Sequence, residues 1–177
     1  EFKITAKQLK EKITPKTKIL MLNSPSNPTG SIYSKDELLA IGEVLKGTDI
    51  VVLSDEMYEK LIYKGKKFTA TAEVSPDMYN RTVTINGLSK SVAMTGWRFG
   101  YVACPNSALA KAMSKLQGQV TSNVNSMTQY AAIVALEGEA NKDIEMMRVE
   151  FEKRKDYAVK AINNISKLSC YDPDGAF

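Results

Sequence analysis

Apolar and polar positions along this chain follow two rhythms. Short, nearly unbroken apolar runs occur at "KILMLN" (18–23), "DIVVLSD" (49–55), "RTVTING" (81–87) and "FGYVAC" (99–104). Runs of this length, rich in β-branched residues and bounded by turn residues, predict buried strands. Between the first two lies "SKDELLAIGEVLKG" (34–47), where Leu38, Ile41 and Leu45 recur at helical spacing. Ser34 and Glu37 stand three apart in the capping-box pattern, and Gly47 follows as a stop signal. The loop between the third and fourth runs is too short for a helical crossover, so the fourth strand is expected to run antiparallel to its neighbour. Helical periodicity then covers 106–118, about 125–137 and about 140–166. The last stretch, roughly 25 residues or ~38 Å at the standard rise, has the length of a helix that joins two bodies. "SCYDPDGAF" (169–177) reads as the start of another strand.

Strand–helix–strand order with near-continuous apolar strands predicts an α/β fold. The expected architecture is a mostly parallel sheet with one antiparallel strand and helices on both faces. The 177 residues suffice for one sizeable core, and the hydrophobic (44%) and charged (25%) fractions are those of a globular protein. The net charge of +4 is spread along the chain. Its densest basic patch, "YKGKKF" (63–68), reads as a solvated turn, and no nucleic-acid partner is expected. No apolar run reaches membrane-spanning length, so no membrane partner is expected. The two cysteines, Cys104 and Cys170, lie far apart in apolar surroundings. They are expected as buried free thiols, which fits a reducing, cytoplasmic compartment. Histidine is absent. Two distant cysteines without histidine cannot build a zinc site, and proton transfer must fall to Lys, Asp, Glu, Tyr or Cys.

In a parallel sheet, ligands collect beyond the C-terminal ends of the strands. Those ends carry "NSPSNPTG", "SDEMY" and "NGLSKS". Taken singly, their polar residues have ordinary readings. Asp55 caps a turn, Asn27 belongs to a turn, Tyr58 is a core aromatic, Arg98 is an ion-pair partner, and Lys90 packs its stem while its amine reaches water. Taken jointly, they gather an amide, a carboxylate, a phenol, an amine and a guanidinium at one edge. That inventory suits pyridoxal 5′-phosphate. The amine forms a Schiff base with the aldehyde, and the carboxylate keeps the ring nitrogen protonated. The phenol and amide hydrogen-bond the ring oxygen, and the guanidinium forks onto the phosphate.

"SPSNPTG", "SDEMYEKLIY" and "NGLSKSVAMTGWRFGY", in this order and spacing, resemble the class I aminotransferases of the aspartate aminotransferase type, fold type I enzymes dependent on pyridoxal phosphate. The resemblance runs from "ITPKTKILMLNSPSNPTG" to "PDGAF". It implies that Lys90 bears the cofactor and then shuttles a proton between substrate and cofactor. It implies that Asp55 pairs with the pyridinium nitrogen and that Tyr58 and Asn27 bond the ring oxygen. Asn27 would also reach the substrate carboxylate, Arg98 would hold the phosphate, and Ser89 would add a phosphate contact. The catalytic set is thus Lys90, Asp55 and Tyr58. The resemblance further implies a cis peptide at Asn27–Pro28 and a homodimer whose segment "TSNVNS" (121–126) approaches the neighbouring site.

Two features of the family are missing from these residues: the glycine- and serine-containing turn that holds the phosphate, and the arginine that binds the substrate α-carboxylate. The chain is therefore expected to be an internal fragment. Residues 1–137 would form the later part of the large cofactor-binding domain, 138–166 the long connecting helix, and 167–177 the start of a small domain. Such a piece is expected to bind cofactor poorly and to lack turnover alone. The implied reaction is transamination between an amino acid and a 2-oxo acid, with aspartate or glutamate and 2-oxoglutarate as the expected substrates and aromatic amino acids second. Alternatives are another fold type I enzyme, a synthase or lyase, or the non-catalytic aminotransferase-like domain of a transcriptional regulator. A phosphate loop is excluded, because Ser89 rather than glycine precedes Lys90.

Overall fold

All four apolar runs become strands: β1 (Ile19–Asn23), β2 (Val51–Asp55), β3 (Thr82–Gly87) and β4 (Gly100–Ala103). They form one sheet in the order β1-β2-β3-β4. The first three are parallel, and β4 runs antiparallel to β3, as the short connection requires. This architecture comes from a computed structural model, in which residues 2–63 and 65–176 are described. Lys64 of the basic patch and Phe177 of the last segment lie outside the described residues. Gly65, Lys66 and Lys67 of that patch are exposed.

The helices are α1 (Ala6–Lys12), α2 (Lys35–Leu45), α3 (Pro76–Arg81), the single turn α4 (Leu88–Ser91), α5 (Ser107–Val120), α6 (Ser126–Leu136) and α7 (Asn141–Asn163). Helix α2 starts where its capping box says. The Ser34 Oγ accepts from the Glu37 N–H at 3.2 Å, and the Glu37 carboxylate accepts from the Ser34 N–H at 2.7 Å. Gly47 follows with φ +73°, a left-handed conformation that glycine adopts without Cβ strain. Leu38, Ile41 and Leu45 are at most 1% exposed and pack with Leu22, Val52 and Met78. Burial of each such side chain contributes about 1.5–3 kcal/mol. Three short helices were not anticipated: α1, α3 and the single turn α4. Helix α1 has its own capping box on Thr5 and Gln8, and α3 is capped by Ser75 with Pro76 in its first turn.

Strand alternation separates two faces. Leu22, Val52 and Ser54 are buried on the side of α2 and α3. On the other face of β1, Ile19 and Met21 are 58% and 74% exposed. Asn23, Asp55 and Ile85 stand in register, so β1 and β2 end together and β3 runs two residues further.

Three expectations need correction. Helix α7 stops at Asn163, giving 23 residues and a length of about 35 Å. The described part of 169–177 is not a strand. Gly175 forms one isolated bridge with Ile62, while the Asp174 and Gly175 N–H groups both donate to the Gly30 carbonyl, at 3.0 and 2.9 Å. Pro173 has no N–H for a ladder, and the chain instead threads between two loops. Gly175 is needed there, since a Cβ would lie 2.8 Å from the Leu61 carbonyl oxygen. Finally, Cys104 and Cys170 are free but half-buried. Cys104 follows β4, an edge strand whose residues are all exposed, so that end of the sheet has too little cover to bury a thiol.

Candidate active site

The register of β1, β2 and β3 sets Asn23 beside Asp55 and Asp55 beside Ile85. Past those ends the chain turns sharply three times, and each turn presents one or more of the residues singled out above.

After β1, the Asn23 side chain organises the first turn. Its Oδ1 accepts from the Asn27 N–H at 2.8 Å, and its Nδ2 donates to the Asp55 carbonyl at 3.2 Å. The peptides Ser24–Pro25 and Asn27–Pro28 are both cis. Asn27 is exposed, and its Nδ2 donates to the Tyr58 hydroxyl at 3.2 Å. After β2, Asp55 is half-buried, and its Oδ1 accepts from the Met57 N–H at 3.1 Å. The ordinary turn-capping role is therefore real, and it fixes the carboxylate at the strand end. The Tyr58 ring is buried. After β3, Lys90 lies within α4, half-buried, with its Nζ 5.7 Å from the Tyr58 ring centroid. That is within cation–π range.

Asn27, Tyr58 and Lys90 thus form a chain of direct neighbours over the strand ends, with Asp55 at the same edge. Ser89 and Arg98 are linked through Thr95 in the loop that closes β3 onto β4. Thr95 Oγ1 donates to the Ser89 carbonyl at 2.8 Å, and the Arg98 guanidinium donates to the Thr95 carbonyl at 3.0 Å. Arg98 itself has φ +56° and is exposed. It joins the group through loop backbone, with its guanidinium folded back on its own turn.

This arrangement can hold an aromatic ring between an amide–phenol pair and a carboxylate, with a primary amine at hand. A model of the family described as aminotransferase class I and II matches residues 1–177. The chain belongs to this family. An aspartate aminotransferase of Geobacillus stearothermophilus is 49% identical over 99% of the chain, which spans 44% of that relative. The crystal structure of the aspartate aminotransferase from Rhizobium meliloti superposes with a TM-score of 0.95 at 42% identity, over 99% of this chain and 44% of that one. An aromatic aminotransferase from Pyrococcus horikoshii gives 0.94 at 38% identity, over 99% of this chain and 47% of that one. The chain therefore spans less than half the length of the aminotransferases it matches.

Sequence reasoning passed over three residues that build this edge of the aminotransferase sheet. Asn23 ties the first two turns together, and its position as the last residue of β1 was the available signal. Thr95 joins the Ser89 and Arg98 ends of their loop. Glu56 is only 2% exposed. It stands in phase with Val52 and Ser54 on the packed side of β2, where an acidic residue is out of place. Burial pushes its carboxyl above the usual range, against hydrogen bonds from Thr71 and Ser54 that pull it down.

Proposed function

We propose that this chain carries the lysine-bearing part of a pyridoxal 5′-phosphate-dependent aminotransferase that exchanges an amino group between an amino acid and a 2-oxo acid. The class I and II aminotransferases are pyridoxal phosphate enzymes. The observation that carries the reading is the convergence of Asn27, Tyr58 and Lys90 beside Asp55 at one sheet edge. The donor set fits the cofactor. An amide and a phenol 3.2 Å apart suit its ring oxygen, a carboxylate suits its pyridinium, and a primary amine suits its aldehyde.

Bound pyridoxal phosphate supplies the electron sink that makes a substrate α-proton removable. The chain's own residues do the rest. Lys90 would be the amine that holds the cofactor through its aldehyde and the base that carries the substrate proton. Asp55 holds the proton on the ring nitrogen. Tyr58 and Asn27 orient the ring, and the exposed Asn27 amide also faces an incoming substrate carboxylate. Ser89 and Arg98 would take the phosphate, Arg98 through guanidinium N–H groups other than the one that donates to the Thr95 carbonyl. Aspartate or glutamate with 2-oxoglutarate is the substrate pair we favour, in keeping with the relatives named for aspartate.

We assign residues up to 137 to the later part of the large domain, 138–166 to the connecting segment and residues from 167 to the start of the small domain. The span of α7 supports this division. We propose the full enzyme as a cytoplasmic homodimer, with 121–126 near the neighbouring site. Both cysteines are free, and 121–126 is largely exposed.

The test uses the full-length protein loaded with pyridoxal phosphate, reduced with borohydride and mapped by peptide mass. Reduction fixes the cofactor to the amine that holds it, and the adduct is expected on Lys90. An adduct on any other lysine would overturn the assignment. Release of the 2-oxo acid of the donor separates a transaminase from a synthase or lyase.

A further inference from the structure

Glu56 is a buried acid that the proposed chemistry does not use. It directly follows Asp55 at the end of β2, and strand alternation turns its side chain away from that of Asp55, to the packed side shared with Val52 and Ser54. Its Oε1 accepts from the Ser54 hydroxyl and from the Thr71 N–H, both at 2.9 Å. The Ser54 and Thr71 hydroxyls lie 2.8 Å apart, so three side chains close a small buried network. The network joins the end of β2 to a residue fifteen positions on, at the start of the 3₁₀ turn Thr71–Glu73. Backbone bonds lock the same turn. The Glu56 N–H donates to the Ile85 carbonyl of β3, and the Glu59 N–H returns to the Glu56 carbonyl.

An apolar residue would fill this position without the desolvation penalty of a buried carboxyl. The geometry points to a reason for an acid here. We propose that Glu56 is a positioning residue: through the turn 54–59 it holds the Asp55 carboxylate and the Tyr58 hydroxyl where the cofactor ring needs them. The residue touches neither substrate nor cofactor. Its oxygen acts as the fixed anchor under a turn whose upper side carries the chemistry. An acceptor at that point satisfies the Thr71 N–H as well as the Ser54 hydroxyl, and without it the buried Thr71 N–H would lose its partner and carry the cost of an unsatisfied donor.

This inference rests on the reading of the site as a pyridoxal phosphate site. The test compares full-length parent, Glu56→Gln, Glu56→Ala and Ser54→Ala proteins by titrating the cofactor-free forms with pyridoxal phosphate. Melting of the unloaded proteins is measured beside it. Glutamine keeps the acceptor oxygen and is expected to hold the cofactor within about threefold of the parent. Alanine at 56 is expected to weaken binding at least tenfold, and Ser54→Ala, a milder lesion, several-fold. In the loaded enzymes the loss is expected in kcat, with the KM for the amino acid nearly unchanged. Should Glu56→Ala fail to fold, the Ser54→Ala and Glu56→Gln pair decides alone. Parental affinity in Glu56→Ala, or in Ser54→Ala where that pair decides, would overturn the inference. So would equal losses in Gln and Ala variants, or a Gln variant as weak as Ser54→Ala. A parent that binds no pyridoxal phosphate would instead overturn the underlying functional reading.

Discussion

Lys90 and Asp55 each satisfy an ordinary structural role while standing where chemistry would need them. Lys90 rests over the Tyr58 ring, and Asp55 caps the turn at Met57. Substitutions can separate the two roles. Lys90→Ala in the full-length protein is expected to lower turnover by at least ~10²–10⁴, the usual scale of acid–base catalysis. Unchanged turnover would remove Lys90 from the mechanism. Asp55→Asn keeps an oxygen for the Met57 N–H but loses the charge. Cofactor binding is expected to weaken at least tenfold while the unloaded protein melts as before. If affinity holds, Asp55 is a turn cap and nothing more.

At the scale of single elements, α2 is the anchor of the packed face. Ile41 is 1% exposed within its core cluster, and Ile41→Ala is expected to cost about 2–5 kcal/mol in denaturant unfolding. A loss under 1 kcal/mol would mean that the neighbours collapse into the space. Helix termini also carry a pH dependence. Burial raises the Glu37 carboxyl, but the Lys3 ammonium and the Ser34 N–H outweigh it, so its net shift is downward. In α3, the Arg81 guanidinium holds the Asp77 carboxyl low through paired bonds of 2.8 Å. Both folded values lie below the unfolded ones, so these carboxylates stabilise the fold above the ordinary carboxylate pKa. That contribution is lost as pH falls through their depressed values. Stability measured between pH 7 and pH 3 is expected to drop at the acid end, and less so in a Lys3→Met, Arg81→Met double variant.

For the molecule as a whole, the sheet is covered well on one side and poorly on the other. Ile19 and Met21 stand exposed on β1, and Met127, Tyr130, Ile133, Val134 and Leu136 stand exposed on α6. A helix apolar on nearly all sides is a buried helix in its working state. Apolar surface of this extent drives association. Residues 1–177 alone are expected to self-associate in sedimentation and to bind a hydrophobic dye, and the full-length protein to do neither beyond a defined oligomer. A monomeric, dye-silent 177-residue chain would contradict this.

What the sequence determined by itself was local or periodic. The four strands, the capped helix α2 and the antiparallel return of β4 follow from side-chain period, capping chemistry and loop length, which act over a few residues. The residue types of the candidate site were legible for a related reason, because short turns after strands hold them at fixed offsets. Tertiary structure alone decided the rest. Glu56 became a buried anchor only because Thr71 folds back on it, and Gly30 captured Asp174 and Gly175 where a strand had been expected. The same folding left one face of β1 bare. The Thr71 and Gly30 contacts join residues distant along the chain, and no local pattern encodes which distant partner will satisfy a buried polar group.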